Sequence, residues 1–109
     1  MGGLNISDAV IRKIAAYSAL DVEGIANLGG FIDTETVRSV SEATLDKAVH
    51  VDRTDSGFRI SINVVCTYGS NMIKACKSVQ YKVRMSVQNM SGLTVEEVNV
   101  TVCDVAGNI

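Results

Sequence analysis

The ten residues Phe58–Thr67, FRISINVVCT, decide the fold. Phe58, Ile60, Ile62, Val64 and Cys66 fall on one side of an extended chain; Arg59, Ser61, Asn63, Val65 and Thr67 fall on the other. A period of two held this long predicts a strand with one face in a core and the other toward water. Upstream, Lys47 to Asp52 reads as a second strand, with Val49 and Val51 opposite Ala48 and His50. The intervening RTDSG supplies turn residues, with Gly57 available for a positive φ, so the two strands should form an antiparallel hairpin. Downstream the period changes to that of a helix. Ser70 or Asn71 can cap it, and Met72, Ile73, Cys76, Val79, Val83, Val87 and Met90 are expected to line its inner face. Gly92 is placed for a left-handed stop. Val98, Val100 and Val102 then alternate with Asn99, Thr101 and Cys103 in a last strand. A strand–helix–strand unit of this kind closes right-handed, with its two strands parallel.

Toward the N-terminus, Met1 to Asn5 is a Gly-containing lead expected to be loosely held. Ser7 is a good N-cap, Asp8 complements the helix dipole, and Val10, Ile11, Ile14, Ala15 and Ser18 recur at helical spacing, giving a helix over roughly residues 8 to 20. Gly24 and Gly29-Gly30 break regular structure. The stretch from Asn27 to Lys47 is hard to read: its ETVRSVSEATL segment fits a short amphipathic helix with Val37 and Val40 inward, or an ordered loop. The reading is an α+β two-layer sandwich, a small mixed three-stranded sheet with helices packed on one face. The hairpin supplies two strands, and the third lies parallel, reached through the crossover helix. Residues 1–109 are expected to form a single domain. Arg59, Ser61, Asn63, Thr67, Asn99 and Thr101 make the other sheet face polar, either solvated or an interaction surface.

Composition narrows the function. The 47% apolar content with only 5% aromatic implies an aliphatic core. A net charge of −2 is too close to neutral to imply a nucleic-acid partner by itself. Three cysteines, Cys66, Cys76 and Cys103, and the single His50 cannot build an ordinary four-ligand zinc site, and no C-x-x-C spacing occurs. No metal or cofactor is expected. An odd cysteine count suits free thiols in a reducing compartment. No signal-peptide pattern or run long enough to span a bilayer is visible, so a cytoplasmic protein is expected.

Few residues suggest chemistry. His50 and Asp52 share a strand face, but no G-x-S-x-G turn offers a nucleophile, and a surface histidine is the better reading. Gly29-Gly30 lacks the strand–Gly-rich–helix order of a phosphate loop. Cys66 and Cys76 read as buried small hydrophobes rather than a redox pair, with Cys103 on the opposite sheet face. Lys74, Lys77, Lys82 and Arg84 give the long helix a cationic character without any acidic residue. A solvated helix face is the plainer account; a site for an acidic partner or anionic headgroups is the functional one. Phe31-Ile32, after the glycine pair, either contacts a partner or folds back over one end of the sheet. Sheet edges that stay open are a further candidate. No catalytic constellation emerges.

The landmarks together resemble the bacterial alkaline shock protein family, the Gls-type envelope stress proteins. Ile6-Ser7-Asp8-Ala9-Val10-Ile11 with Ile14-Ala15 is similar to the family's opening helix, and Val22-Glu23-Gly24-Ile25 to the turn after it. ISINVVCTYG, Ile60 to Gly69, resembles its central strand. Val79-Gln80, Val83, Val87 and Asn89-Met90-Ser91-Gly92-Leu93 resemble its long helix and stop. Val95 with Val98-Asn99-Val100-Thr101-Val102 resembles its closing strand. Residues 27–44 do not match, Glu23 stands where the family often has proline, and Ser91 replaces a threonine. The resemblance implies a non-catalytic role in cell-envelope homeostasis and stress in mostly Gram-positive bacteria. It also implies cytoplasmic location, self-association into a homo-oligomer, and a membrane-anchored protein partner. Some members sit beside lipid-metabolism genes, so the stress role need not hold for every one. A small nucleic-acid-binding α/β module is the alternative, weakened by the absence of a GXXG loop and of stacking aromatics.

Overall fold

The computed structural model describes residues 5–107, so the expectation for Met1–Leu4 lies outside the described residues. Strand β3, Gly57–Thr67, is the axis of the sheet. Helix α1 (Asp8–Leu20) and strand β1 (Ile25–Leu28) come before it, followed by a 3-10 turn at Gly29–Phe31, helix α2 (Glu42–Ala48) and strand β2 (Val49–Thr54). Helix α3 (Met72–Ser91) and strand β4 (Val95–Ala106) come after it.

β2 pairs antiparallel with the first half of β3, Val49 opposite Ile62 and Thr54 opposite Gly57. β1 pairs antiparallel with the second half, Leu28 opposite Val64. β4 runs parallel to β3 from Phe58–Val95 to Thr67–Ala106. Because β4 occupies one edge of β3 throughout, β1 and β2 share the other edge end to end. The sheet therefore has four strands, where the sequence pattern suggested three. Strand β1 escaped notice because its four residues are too few to show a period and lie between Gly24 and Gly29. The α+β layering, the hairpin and the parallel closing strand stand as read.

Alternation on β3 sorts the residues as anticipated. Phe58, Ile60, Ile62, Val64 and Cys66 are buried under the helices, with Val49, Val51, Val95 and Val98 beside them. The opposite face carries His50, Asp52, Arg59, Asn63, Glu97, Asn99 and Thr101, with Arg59 Nε donating to Glu97 Oε2 at 3.0 Å. Ser7 caps α1 by accepting from the Val10 amide at 3.3 Å. The buried Ile11, Ala15, Ala16 and Ala19 give α1 a small-residue face on which α3 packs.

The inner face of α3 differs from its sequence reading. Ala75, Val79, Val83 and Val87 are buried, Cys76 is half-buried, and Met72, Ile73 and Met90 are exposed. Ile73 precedes Val79 by six residues, about 120° around a helix, so it leaves the buried stripe. Met72 and Met90 lie close to that stripe in angle but sit in its first and last turns, Met72 in a groove beside β4 and Met90 in one beside α1. Asn71 is the N-cap, accepting from the Lys74 amide at 3.1 Å, and Gly92 ends the helix with φ 73°.

Residues 33–48 turn out to be ordered by side chains. Asp33 Oδ1 accepts from the amides of Glu35 and Thr36, both at 2.9 Å, while Thr36 Oγ1 accepts from the Asp33 amide. Those amides hold the Asp33 carboxyl below its usual range. Val37 is buried at the end of this turn, and Lys13 from α1 donates to the carbonyls of Val37 and Arg38, both at 3.2 Å. Ser41 then caps α2, which buries Leu45 and Ala48.

Candidate interaction surface

The fold gives the four cations of α3, Lys74, Lys77, Lys82 and Arg84, different duties. Lys82 pairs with Asp21 at the end of α1, and that ammonium lowers the Asp21 carboxyl. Arg84 donates to the carbonyls of Val95 and Glu96, at 3.3 and 3.4 Å, and so ties α3 to the start of β4. Lys74 and Lys77 are exposed and form no ion pair among the described residues. They border a groove of about 1040 Å³ whose other walls are Asp21–Gly24, Ser70, Asn71 and Tyr81.

Reading by sequence missed the apolar companions of these lysines. Ile73 is 71% exposed and Tyr81 66% exposed, with Met85 partly so. Ile73, Lys77, Tyr81 and Met85 are spaced four residues apart and follow one line along the outer face. That spacing is present in the sequence, but grouping Ile73 with the inner stripe hid it.

A second surface lies where α3 meets β4. Met72, Ile73, Cys76, Val102, Cys103 and Val105 line a groove of about 680 Å³. It runs beside the outer edge of β4, which among the described residues pairs with β3 alone. Two bulges interrupt that pairing, between Phe58 and Arg59 and between Val64 and Val65. At the second, the Cys103 thiol donates to the Val64 carbonyl at 3.4 Å. Burial raises the Cys66 thiol, which keeps it an unreactive core group.

The pair Phe31-Ile32 divides. Phe31 is 88% exposed, whereas Ile32 is 1% exposed, its carbonyl accepting from the Leu28 amide at 2.7 Å. Ile32 thus belongs to the core and offers no contact surface, and Phe31 alone is left for one.

The open sheet face supplies the remaining chemistry. His50 Nδ1 lies 3.3 Å from Asp46 and its Nε2 3.1 Å from Asp52. With both nitrogens facing carboxylates, only the imidazolium can donate to both, and neither is free to take a proton from a hydroxyl. The hydrogen bond to Asp46, opposed by partial desolvation and aided by Asp52, raises His50 above 6.5. Stability from this pairing is therefore complete below the unfolded value and is lost as pH rises through the folded one. A proton-NMR titration should place the His50 midpoint above 6.5, and Asp46→Asn should lower it more than Asp52→Asn. A midpoint at or below 6.5 would mean that the carboxylates do not hold the ring. The strand residues on this face include no Phe, Tyr or Trp, and its acids Asp52 and Glu97 oppose a phosphate backbone.

Comparison with known proteins bears on what such surfaces serve. Residues 1–107 match the alkaline shock protein 23 family, described as having a cell envelope-related function. The chain belongs to that family. Its relatives include YqhY of Bacillus subtilis, 33% identical over 92% of this chain and 74% of that protein. A Streptococcus pyogenes "stress response regulator gls24 homolog" is 28% identical over 95% of this chain and 59% of its own length. A solved variant of the MamM CTD covers 87% of this chain, and 92% of its own length is matched, with a TM-score of 0.53 at 8% identity; that likeness is one of fold alone.

Within this alkaline shock family chain, the motif residues have structural duties. Ser7 and Gly92 end helices, and the Gly24 carbonyl accepts from the Thr67 amide where β1 joins β3. No helix of the described residues is long and apolar enough to cross a membrane.

Proposed function

We infer that this chain serves the cell envelope as a cytoplasmic, non-catalytic interaction protein, residues 1–109 acting as one domain. On this reading it self-associates and binds a membrane-anchored protein, in a stress or homeostatic role. Family membership supports the envelope setting, and the stress label carried by relatives supports the second half.

The observation that carries self-association is the outer edge of β4. An unpaired strand offers a row of backbone donors and acceptors to another strand, and the adjoining apolar groove gives such a contact side-chain area. Glu96, Glu97 and Asp104, with the two bulges, limit how far such pairing propagates. Finite oligomers rather than sheets without end are the expected product.

Size-exclusion chromatography with light scattering across protein concentration tests this. The wild type should shift from monomer to dimer or a larger assembly as concentration rises. Val105→Lys, which places a charge beside the edge, should weaken association at least about tenfold, equivalent to about 1.4 kcal/mol. A wild type that stays monomeric at the highest concentration would remove self-association and leave a one-to-one adaptor.

A further inference from the structure

We propose that the outer ridge of α3 docks directly on an anionic lipid surface. The ridge is formed by Ile73, Lys77, Tyr81 and Met85, with Lys74 beside it. Throughout its 20 residues α3 contains no acid, although the whole chain is net −2. Positive charge is thus concentrated on one element, and Lys74 and Lys77 are its two members that form no side-chain pairing among the described residues.

Position makes Lys74 informative. It lies in the first turn of α3, where the helix dipole disfavours a cation, and it is three residues after the Asn71 cap. Glutamate there would suit the dipole and complete a capping box. A chain selected for helix stability alone has a reason to place an acid at this position, and this one has lysine.

The occupant follows from the chemistry of the ridge. Ile73, Tyr81 and Met85 share the outer face with Lys77, and Ile73, Lys74, Lys77 and Tyr81 rim the groove formed with Asp21–Gly24. Two lysines without an ion pair among the described residues, on a helix without acids, complement anionic phosphate, and a headgroup layer needs no matching shape. Tyr81 suits the boundary between headgroups and acyl chains, Ile73 and Met85 can sink below it, and lysine stems extend so that the ammonium reaches phosphate. The acids beside the ridge are Asp21, taken by Lys82, Glu23, exposed on the far wall of one groove, and Asp104, exposed in the groove that Ile73 and Lys77 share with β4; the last two oppose the contact. Ile73 and Lys77 also line the groove beside β4, whereas Lys74, Tyr81 and Met85 do not, so Lys74→Glu tests the contact apart from self-association at the β4 edge.

Each basic residue near an anionic membrane is worth about 1 kcal/mol, so the two free lysines together give about 30-fold tighter binding. Flotation with vesicles of phosphatidylglycerol mixed with phosphatidylcholine, against phosphatidylcholine alone, reads this directly. Wild type should float with the anionic vesicles at low salt and be released at about 1 M salt, where the Debye length is only about 3 Å. Lys74→Glu combined with Lys77→Glu should lose at least about 30-fold. The single Lys74→Glu should lose binding while its melting temperature rises by about 2–4 °C, which separates lost docking from lost folding. Arg38→Glu with Lys47→Glu, an equal charge change at exposed sites before and within α2, should lose far less. Equal flotation with both vesicle types overturns the proposal, as does an equal loss in the control variant or no flotation at low salt. Binding only to vesicles containing integral membrane proteins also overturns it, in favour of an acidic protein partner.

Discussion

Phe58→Ala is expected to lower the free energy of unfolding by about 3–5 kcal/mol. Phe58 is the largest of the fully buried side chains and lies at the start of β3, opposite Arg53 of β2 and Val95 of β4. Removing the ring opens a cavity where three strands meet, and neighbours held in a backbone ladder have little freedom to collapse into it. A second loss adds to the first. The Arg53 guanidinium is 5.0 Å from the ring centroid, and the same group donates to Asp8 Oδ1 and the Ile6 carbonyl, both at 2.8 Å. Through Arg53 the ring thus supports the entry to α1. Because a small domain is stable by only about 5–15 kcal/mol, the variant should unfold at a much lower urea concentration with an unchanged slope. A loss below about 1 kcal/mol would show that the hairpin and β4 do not close on this ring as described.

Residues such as Phe58 explain why so much of this fold is legible in the sequence. Where a side chain's fate is set by local periodicity, reading succeeded: β3, β4, the hairpin and the capped helices follow from alternation, turn chemistry and N-cap residues. Failures occurred where tertiary context decides. Strand β1 is defined by pairing with Val64–Cys66 rather than by any pattern of its own. The 33–48 segment is held by Asp33 capping its own turn and by Lys13 reaching across 24 residues to the Val37 carbonyl. Ile32 and Phe31 cannot be told apart without the partner that covers one of them.

The surface was legible in composition but not in arrangement. The excess of cations on α3 is plain in the sequence; that Lys82 and Arg84 are engaged with Asp21 and the β4 carbonyls is not. Assigning Ile73 to the inner face was an error of helical phase. Once Val79, Val83 and Val87 fix the buried direction, Ile73 and Tyr81 both fall outside it, and the ridge becomes visible.

Gly57→Ala is expected to cost about 3 kcal/mol, for a reason the turn alone does not reveal. A Cβ built on Gly57 would lie 2.0 Å from the Thr94 carbonyl oxygen and 2.9 Å from its carbon, inside the 3.0 Å that such atoms essentially never cross. The obstruction is backbone, and it is anchored. The Phe58 amide donates to that same Thr94 carbonyl at 2.9 Å, the rung by which the chain leaving α3 joins β3, while Thr54 opposite Gly57 closes the hairpin. Relief requires breaking one of these contacts. Gly69→Ala is the appropriate comparison, since Gly69 has φ 84° and open space around it. It should lose only the intrinsic cost of left-handed backbone, about 1–2 kcal/mol. Chemical denaturation of both variants gives the difference, and hydrogen exchange in Gly57→Ala should show lost protection at the Phe58 amide. If the two substitutions cost the same, the Thr94 carbonyl can move aside. The junction between β3 and β4 would then be a flexible seam rather than the fixed point from which the parallel pairing begins.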